Sequence, residues 1–178
     1  MTLRVGEKVS LPSHGPCLID AVVNKLVGGT SMTFYRLACL ENNGGELFIP
    51  VDKIKGLGIR QLLQRSEIPK LLSRLGQEGK PAVVPNEARN WKQRAIDRSR
   101  LLASGTAADL VELIESLTDS NEVRALASQD RQTLERAKRL LVCEIAEVLG
   151  DSKSAVEQRI NRALLARRGE NSRGHETN

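Results

Sequence analysis

Hydrophobic and polar positions follow two different periods along this chain. Over residues 1–51 the apolar residues come in short runs and alternations, the period of strands. "EKVSLP" predicts a short strand ended by Pro12, and "SHGP" a turn in which Gly15 is free to take a positive φ. "CLIDAVVNKL", "MTFYRLACLE" and "ELFIPV" predict three more strands, with turn signals at "GGT" (28–30) and "NNGG" (42–45). A small antiparallel meander of this kind closes most economically as a barrel.

After Gly58 the period changes. Leu62, Leu63, Leu71, Leu72 and Leu75 recur at near-helical spacing, and Pro69 belongs in the first turn of a helix reaching about Leu75. "GQEGKPAVVPNEAR" holds two glycines and two prolines and reads as a linker. From Asn90 the pattern is helical almost to the end. Asn90 with Gln93 resembles a capping box, and a first helix should stop at Ser104–Gly105. Thr106 with Asp109 caps a second helix carrying Leu110, Leu113, Ile114 and Leu117. A third carries Leu134, Ala137, Leu141, Ile145 and Val148 and is closed by Gly150. Ser154 with Glu157 caps a last helix bearing Val156, Ile160 and Leu164, and the polar tail from Arg168 onward predicts disorder.

Composition narrows the classes. Apolar residues make up 40% but aromatics only 2%, so both cores must be aliphatic. The net charge of +5 points weakly to an anionic partner. Cys17, Cys39 and Cys143 lack any CxxC or CxxH spacing and read as buried thiols in a reducing compartment. With His14 and His175 they make no zinc spacing, and no nucleophile–base constellation or phosphate loop appears. No cofactor, metal or catalytic residue is expected, and His14 should fix a turn together with Pro12 and Gly15. The N-terminus has no signal-peptide core and no run reaches membrane-spanning length, so a cytoplasmic protein is expected.

The single tryptophan sits in an unusual place. Trp91 opens a helix, and within residues 89–100 Arg89, Lys92, Arg94, Arg98 and Arg100 stand against a single acid, Asp97. On that helix Trp91, Arg94 and Arg98 share a face by their i, i+3, i+7 spacing. One reading is a core indole packing a small helical domain.

The order of the pieces resembles the CarD/CdnL family of bacterial transcription regulators. The resemblance rests on "VGEKVSLPSHG", "FIPV" and "GLGIRQLL" in the first half and on "NWKQR", "LASG" and "DRQTLERAKRLL" in the second. It implies an α+β protein: an N-terminal small Tudor-like β-barrel that binds the RNA polymerase β subunit, then a C-terminal all-helical bundle that meets promoter DNA at the upstream bubble edge. The implied domains are 1–76 (barrel with a trailing helix), 77–89 (linker), 90–168 (helical DNA-binding domain) and 169–178 (disordered tail). The family's tryptophan matches Trp91, which implies a second reading, a wedge against DNA base steps with cations on the flanking phosphates; the implied DNA-binding set is Trp91, Lys92, Arg94, Arg98, Arg131 and Lys138. The implied polymerase-binding set is Lys25, Phe48, Ile49 and Pro50, with 46–51 either an internal barrel strand or an edge open to strand addition. Ala95 stands where the family has an aromatic, and Phe48 where it has a basic residue.

The expected function is therefore a non-catalytic, monomeric, nucleoid-associated regulator. The barrel tethers it to polymerase, and a largely sequence-independent DNA contact stabilises the open complex. The rival is an adaptor that links polymerase, or another partner, to a second regulator without productive DNA contact. An RNA-binding barrel is the more distant alternative.

Overall fold

The computed structural model describes residues 3–12, 14–41, 45–77 and 91–173. The chain divides into two compact units between Leu62 and Leu63.

In the first unit β1 (Lys8–Leu11), β2 (Gly15–Val27), β3 (Thr30–Cys39), β4 (Glu46–Pro50) and β5 (Arg60–Gln61) form one five-stranded sheet. Its order is β4-β3-β2-β1-β5, and every pairing is antiparallel. The α+β class, an antiparallel sheet followed by helices, is as the pattern predicts. β1 stops at Leu11 before Pro12, and Gly15 takes φ 73°. Gly28 and Gly29, at φ 59° and 83°, close the β2–β3 hairpin with the left-handed turn that suits strand twist. Residues 42–44 of the expected "NNGG" turn lie outside the described residues.

β5 lies at the head of the leucine-rich stretch, before the helix that Pro69 opens. Arg60 and Gln61 pair with Ser10 and Val9 as a short strand that the sequence pattern did not announce. Pairing with the outer edge of β1 makes the strand, a tertiary effect that local periodicity does not carry. Gly58 makes the approach feasible: its φ is 66°, and a Cβ there would meet Pro12 Cγ at 3.2 Å. The core of this unit is Val9, Leu11, Cys17, Ile19, Tyr35, Leu37 and Ile49, with Leu3 and Ile54 brought in from the flanking segments. Ile54 arrives on a 3-10 turn, Val51–Gly56, that the sequence pattern did not announce. The Tyr35 hydroxyl donates to the Leu3 carbonyl at 3.3 Å, satisfying the one polar atom that its ring carries inward.

β2 and β3 outrun this core. A β-bulge between Ile19 and Ala21 sets Asp20 and Ala21 opposite Arg36. Beyond it Val22, Leu26 and Val27 are exposed.

The second unit contains α1 (Ile68–Gly76), α2 (Trp91–Ser104), α3 (Ala107–Val123), α4 (Ser128–Leu149) and α5 (Lys153–Arg173). Pro69 stands in the first turn of α1 as predicted. The helix expected to trail the barrel inside 1–76 packs here, with Ile68 and Leu75 in the helical core. The buried Glu144 of α4 explains part of this placement. Its carboxylate accepts the Leu63 backbone N–H at 2.9 Å, drawing the approach to α1 against α4. Residues 78–89 of the expected linker and the cap residue Asn90 lie outside the described residues.

The helix punctuation follows the sequence closely. Gly105 takes φ 62° between α2 and α3, and Thr106 Oγ1 accepts the Asp109 N–H at 3.1 Å. The Asp109 carboxylate in turn accepts from the Ser104 and Thr106 hydroxyls. Leu110, Leu113, Ile114 and Leu117 of α3 and Leu134, Ala137, Leu141 and Ile145 of α4 are buried together. Gly150 ends α4 in the left-handed conformation, φ 73° and ψ 20°. The last helix starts earlier than its sequence cap suggested. Ser152, not Ser154, accepts the Ala155 N–H, at 3.2 Å. α5 also runs on to Arg173, into the segment expected to be disordered from 169; residues 174–178 lie outside the described residues.

Arg167 ties the far end of α5 to the bundle. Only 5% exposed, it donates from Nε and Nη2 to the Asp119 carboxylate at 2.7 and 2.6 Å and from Nη1 to the Gln77 carbonyl at 2.7 Å. The hydrogen bonds to Asp119 raise its already high pKa further, so it stays charged at any working pH.

Candidate functional site

Strand register decides which sheet residues meet. Opposed residues share a face and alternate residues share a face. The pairs Ala21–Arg36, Val23–Phe34, Lys25–Met32, Arg36–Phe48 and Phe34–Pro50 therefore place Lys25, Phe48 and Pro50 together, on the face away from the core. The contact is direct: the Lys25 ammonium lies 3.1 Å from the centre of the Phe48 ring. Stacked over the ring's negative face, the cation is attracted to it and held against the sheet. Phe48 is 39% exposed, enough to leave much of this edge open.

Ile49 belongs elsewhere. Its side chain is 7% exposed and sits in the sheet core with Tyr35, so only its backbone is offered outward. The expected polymerase set thus separates into three outward side chains and one core residue, because period-2 geometry turns Ile49 away from both neighbours. Among the described residues β4 pairs only with β3, so its other side is a sheet edge.

Arg36 was not singled out in the sequence, yet it stands beside Phe48. It forms an ion pair with the bulge residue Asp20, while its buried Nε has no hydrogen-bond partner among the described residues. The signal that finds it is the register, Arg36 opposite both Ala21 and Phe48, which needs the bulge to be known first.

In the helical unit the first turns of α2 are open. Lys92, Gln93, Arg94, Ala95 and Ile96 are all exposed, and Ile96 remains 60% exposed despite being apolar. The Trp91 side chain lies outside the described residues, so the choice between wedge and core indole is untouched. Arg98 is different from its neighbours. Its Nη1 donates to Asp130 Oδ2 at 2.7 Å, and its side chain is 17% exposed, so it braces α2 against the start of α4. Arg131, next along α4, is exposed. Lys138 is half-buried, 3.7 Å from Glu135, and lines an open groove with Leu164 and Leu165 of α5. Of the expected DNA set, then, Lys92, Arg94 and Arg131 are exposed, Arg98 pairs with Asp130 across helices, and Lys138 lies beside the exposed Glu135 of its own helix.

His14 sits in its turn, with Nδ1 3.3 Å from the Pro12 carbonyl oxygen. Among the described residues no group of three or more His, Cys, Asp or Glu is placed to hold a metal ion, and no helix is long and apolar enough to cross a membrane.

Two family models match the chain. Residues 3–63 match the CarD-like/TRCF RID domain, and residues 79–161 match the CarD C-terminal domain. The chain belongs to the CarD-like family. The matches meet the structure closely, since the first ends where the sheet unit ends. Membership makes it a transcription-associated factor of regulator type, carrying the module through which the family interacts with RNA polymerase β. The candidate transcription factor YdeB of Bacillus subtilis (strain 168) is 20% identical over 154 residues, covering 86% of this chain and 97% of YdeB. The solution NMR structure of the 72-residue N-terminal domain of Myxococcus xanthus CarD is 32% identical, covering 34% of this chain and 79% of that one, with a TM-score of 0.28.

Proposed function

We propose that this CarD-like protein binds the RNA polymerase β subunit through the outer face and edge of its sheet and promoter DNA through the exposed start of α2, stabilising the open complex. The observation that carries the polymerase half is the Lys25–Phe48 stack beside a strand edge that is unpaired among the described residues. An edge strand supplies main-chain donors and acceptors, and a cation with an aromatic next to it supplies side-chain specificity. The DNA half rests on Lys92 and Arg94 of α2 and Arg131 of α4, which face solvent, with Trp91 at the head of α2. A DNA contact too weak to act alone becomes effectively intramolecular once the sheet is tethered. If that contact contributes about 1–2 kcal/mol, the open state gains roughly 5–30-fold. Acting with polymerase on the nucleoid, the protein works in the cytoplasm, as a monomer.

The test uses the full chain. Lys25→Glu is expected to weaken capture of polymerase without moving the melting temperature. Trp91→Ala and Arg94→Ala are expected to shorten open-complex lifetime while capture stays intact. Normal polymerase capture by Lys25→Glu removes the sheet assignment.

One observation favours the adaptor reading: Arg98, central to the expected DNA face, is occupied by Asp130. In that case Arg94→Ala and Trp91→Ala leave open-complex lifetime unchanged, and the helices serve a second protein.

A further inference from the structure

Cys17 and Cys39, 22 residues apart in sequence, face each other directly across β2 and β3. Both are free thiols, and their Sγ atoms are 3.8 Å apart. The Leu40 N–H donates to the Pro16 carbonyl at 2.9 Å, a bond joining the residue after one cysteine to the residue before the other. That pattern makes Cys17–Cys39 a non-hydrogen-bonded pair, the site in an antiparallel ladder where opposed Cα atoms come closest, about 4.5 Å. That spacing lies within the roughly 4.4–6.8 Å that a disulfide spans, and side-chain rotation brings the sulfurs toward the bond length of about 2.05 Å.

The two thiols are unequal. Cys17 is fully buried in the sheet core and its Sγ also lies 3.6 Å from the Gly15 carbonyl, to which the thiol can donate. Cys39 is only partly buried, packed at the margin of that core. A reagent therefore reaches Cys39 first, and Cys17 is placed to resolve whatever forms there.

We propose that Cys17 and Cys39 are a thiol–disulfide modification site, reversibly cross-linking β2 to β3 when the protein meets a low-molecular-weight disulfide. The Cys39 thiolate attacks one sulfur of the disulfide RSSR, forming a mixed disulfide and expelling RS⁻. Cys17 gives up its proton, and its sulfur attacks Cys39 Sγ, breaking the mixed disulfide and expelling the second RS⁻. The two leaving groups carry off the two thiol protons, so the protein is oxidised by two electrons while RSSR is reduced to two RSH. The ring so closed contains the β2–β3 hairpin with its Gly28–Gly29 turn at the far end, fixing the register at both ends. Burial pushes the Cys17 thiol up to about 12, aided by its neighbour Cys39, so the second step is slow and the reduced form persists under mild conditions.

The experiment incubates the reduced full-length protein with excess oxidised glutathione and follows intact mass, a non-reducing peptide map and thermal melting. The expected product is a Cys17–Cys39 link with the mass lower by two hydrogens, a sheet melting transition raised by about 5–10 °C, and full reversal by dithiothreitol. Cys39→Ser is expected to form no internal link. Cys143→Ala is expected to form the link as the parent does. A stable glutathione adduct on Cys39 that never resolves, a link engaging Cys143, or a linked protein that melts lower than the reduced one overturns the proposal.

Discussion

The sheet unit and the helical unit treat charge in opposite ways. In the sheet, Lys25 lies over an exposed ring, and the part-buried Arg36 reaches across a bulge to a part-exposed aspartate. In the bundle, charge is used inside. Arg167 is buried against Asp119, with Glu115 3.7 Å away, and Arg74 reaches the same Glu115 at 2.9 Å. Glu144 is buried as an acceptor for a backbone N–H, and Arg98 is braced by Asp130. A small sheet with an aliphatic core has no depth in which to pair ions. A bundle of long helices does, and once ions are buried there each partner depends on the other. Removing a charge should therefore cost stability in one unit and binding in the other.

The largest effect is expected at Arg167. Arg167→Ala takes from the part-buried Asp119 the guanidinium that it pairs with, while Glu115 keeps Arg74, and a loss of about 3–5 kcal/mol is expected in denaturant unfolding of the helical unit. A loss below about 1 kcal/mol would mean that water reaches those carboxylates and that the contrast between the units is overstated. Next comes Glu144→Leu. It leaves the Leu63 N–H unpaired in the core, an expected cost of about 1–3 kcal/mol. Hydrogen exchange at Leu63, slow in the parent and fast in the variant, checks the cause.

Arg98 sharpens the comparison because it stands on both sides of it. As a brace, Arg98→Ala lowers stability by about 1 kcal/mol and leaves the salt dependence of DNA binding unchanged. As a phosphate contact, it flattens the slope of log affinity against log salt by about one unit with little change in melting. The ion pair with Asp130 predicts the first outcome. At Lys25 the expected stability change is within about 1 kcal/mol, the worth of an exposed cation–aromatic contact, so a collapsed melt of Lys25→Glu would place this residue in the fold rather than on a binding face.

The pH effect at Cys17 is absent at neutral pH and shows only in alkali. Its thiol is raised from 9.0 to about 12 by burial. The folded state thus holds this proton more tightly than the unfolded chain. The resulting contribution is complete below about pH 9 and lost progressively as pH rises toward 12. In Cys17→Ala that alkaline slope of stability, measured by urea unfolding at a series of pH values, is expected to be shallower.

Much of this protein is local, and what is local was legible. Thr106 caps α3 and Gly150 ends α4 because a hydroxyl three residues before a free N–H, and a glycine able to turn left-handed, need no distant partner. The strands of the β2–β3 hairpin and the buried stripe of α3 follow from period alone. The resemblance in motif order located the family, whereas the outward placement of Lys25 and Phe48 came from strand register. Other features were decided only by packing. Arg60–Gln61 became a strand because β1 had an open side, and α1 joined the bundle because its apolar face fits there while Glu144 holds the chain just before it. Ile49 turned inward, Arg98 found Asp130, and Cys17 met Cys39 because register, a bulge and helix packing set distances between residues far apart in the chain. Period and caps act over a few residues and can be read in order, whereas ion pairs, strand edges and facing thiols depend on how whole elements come together.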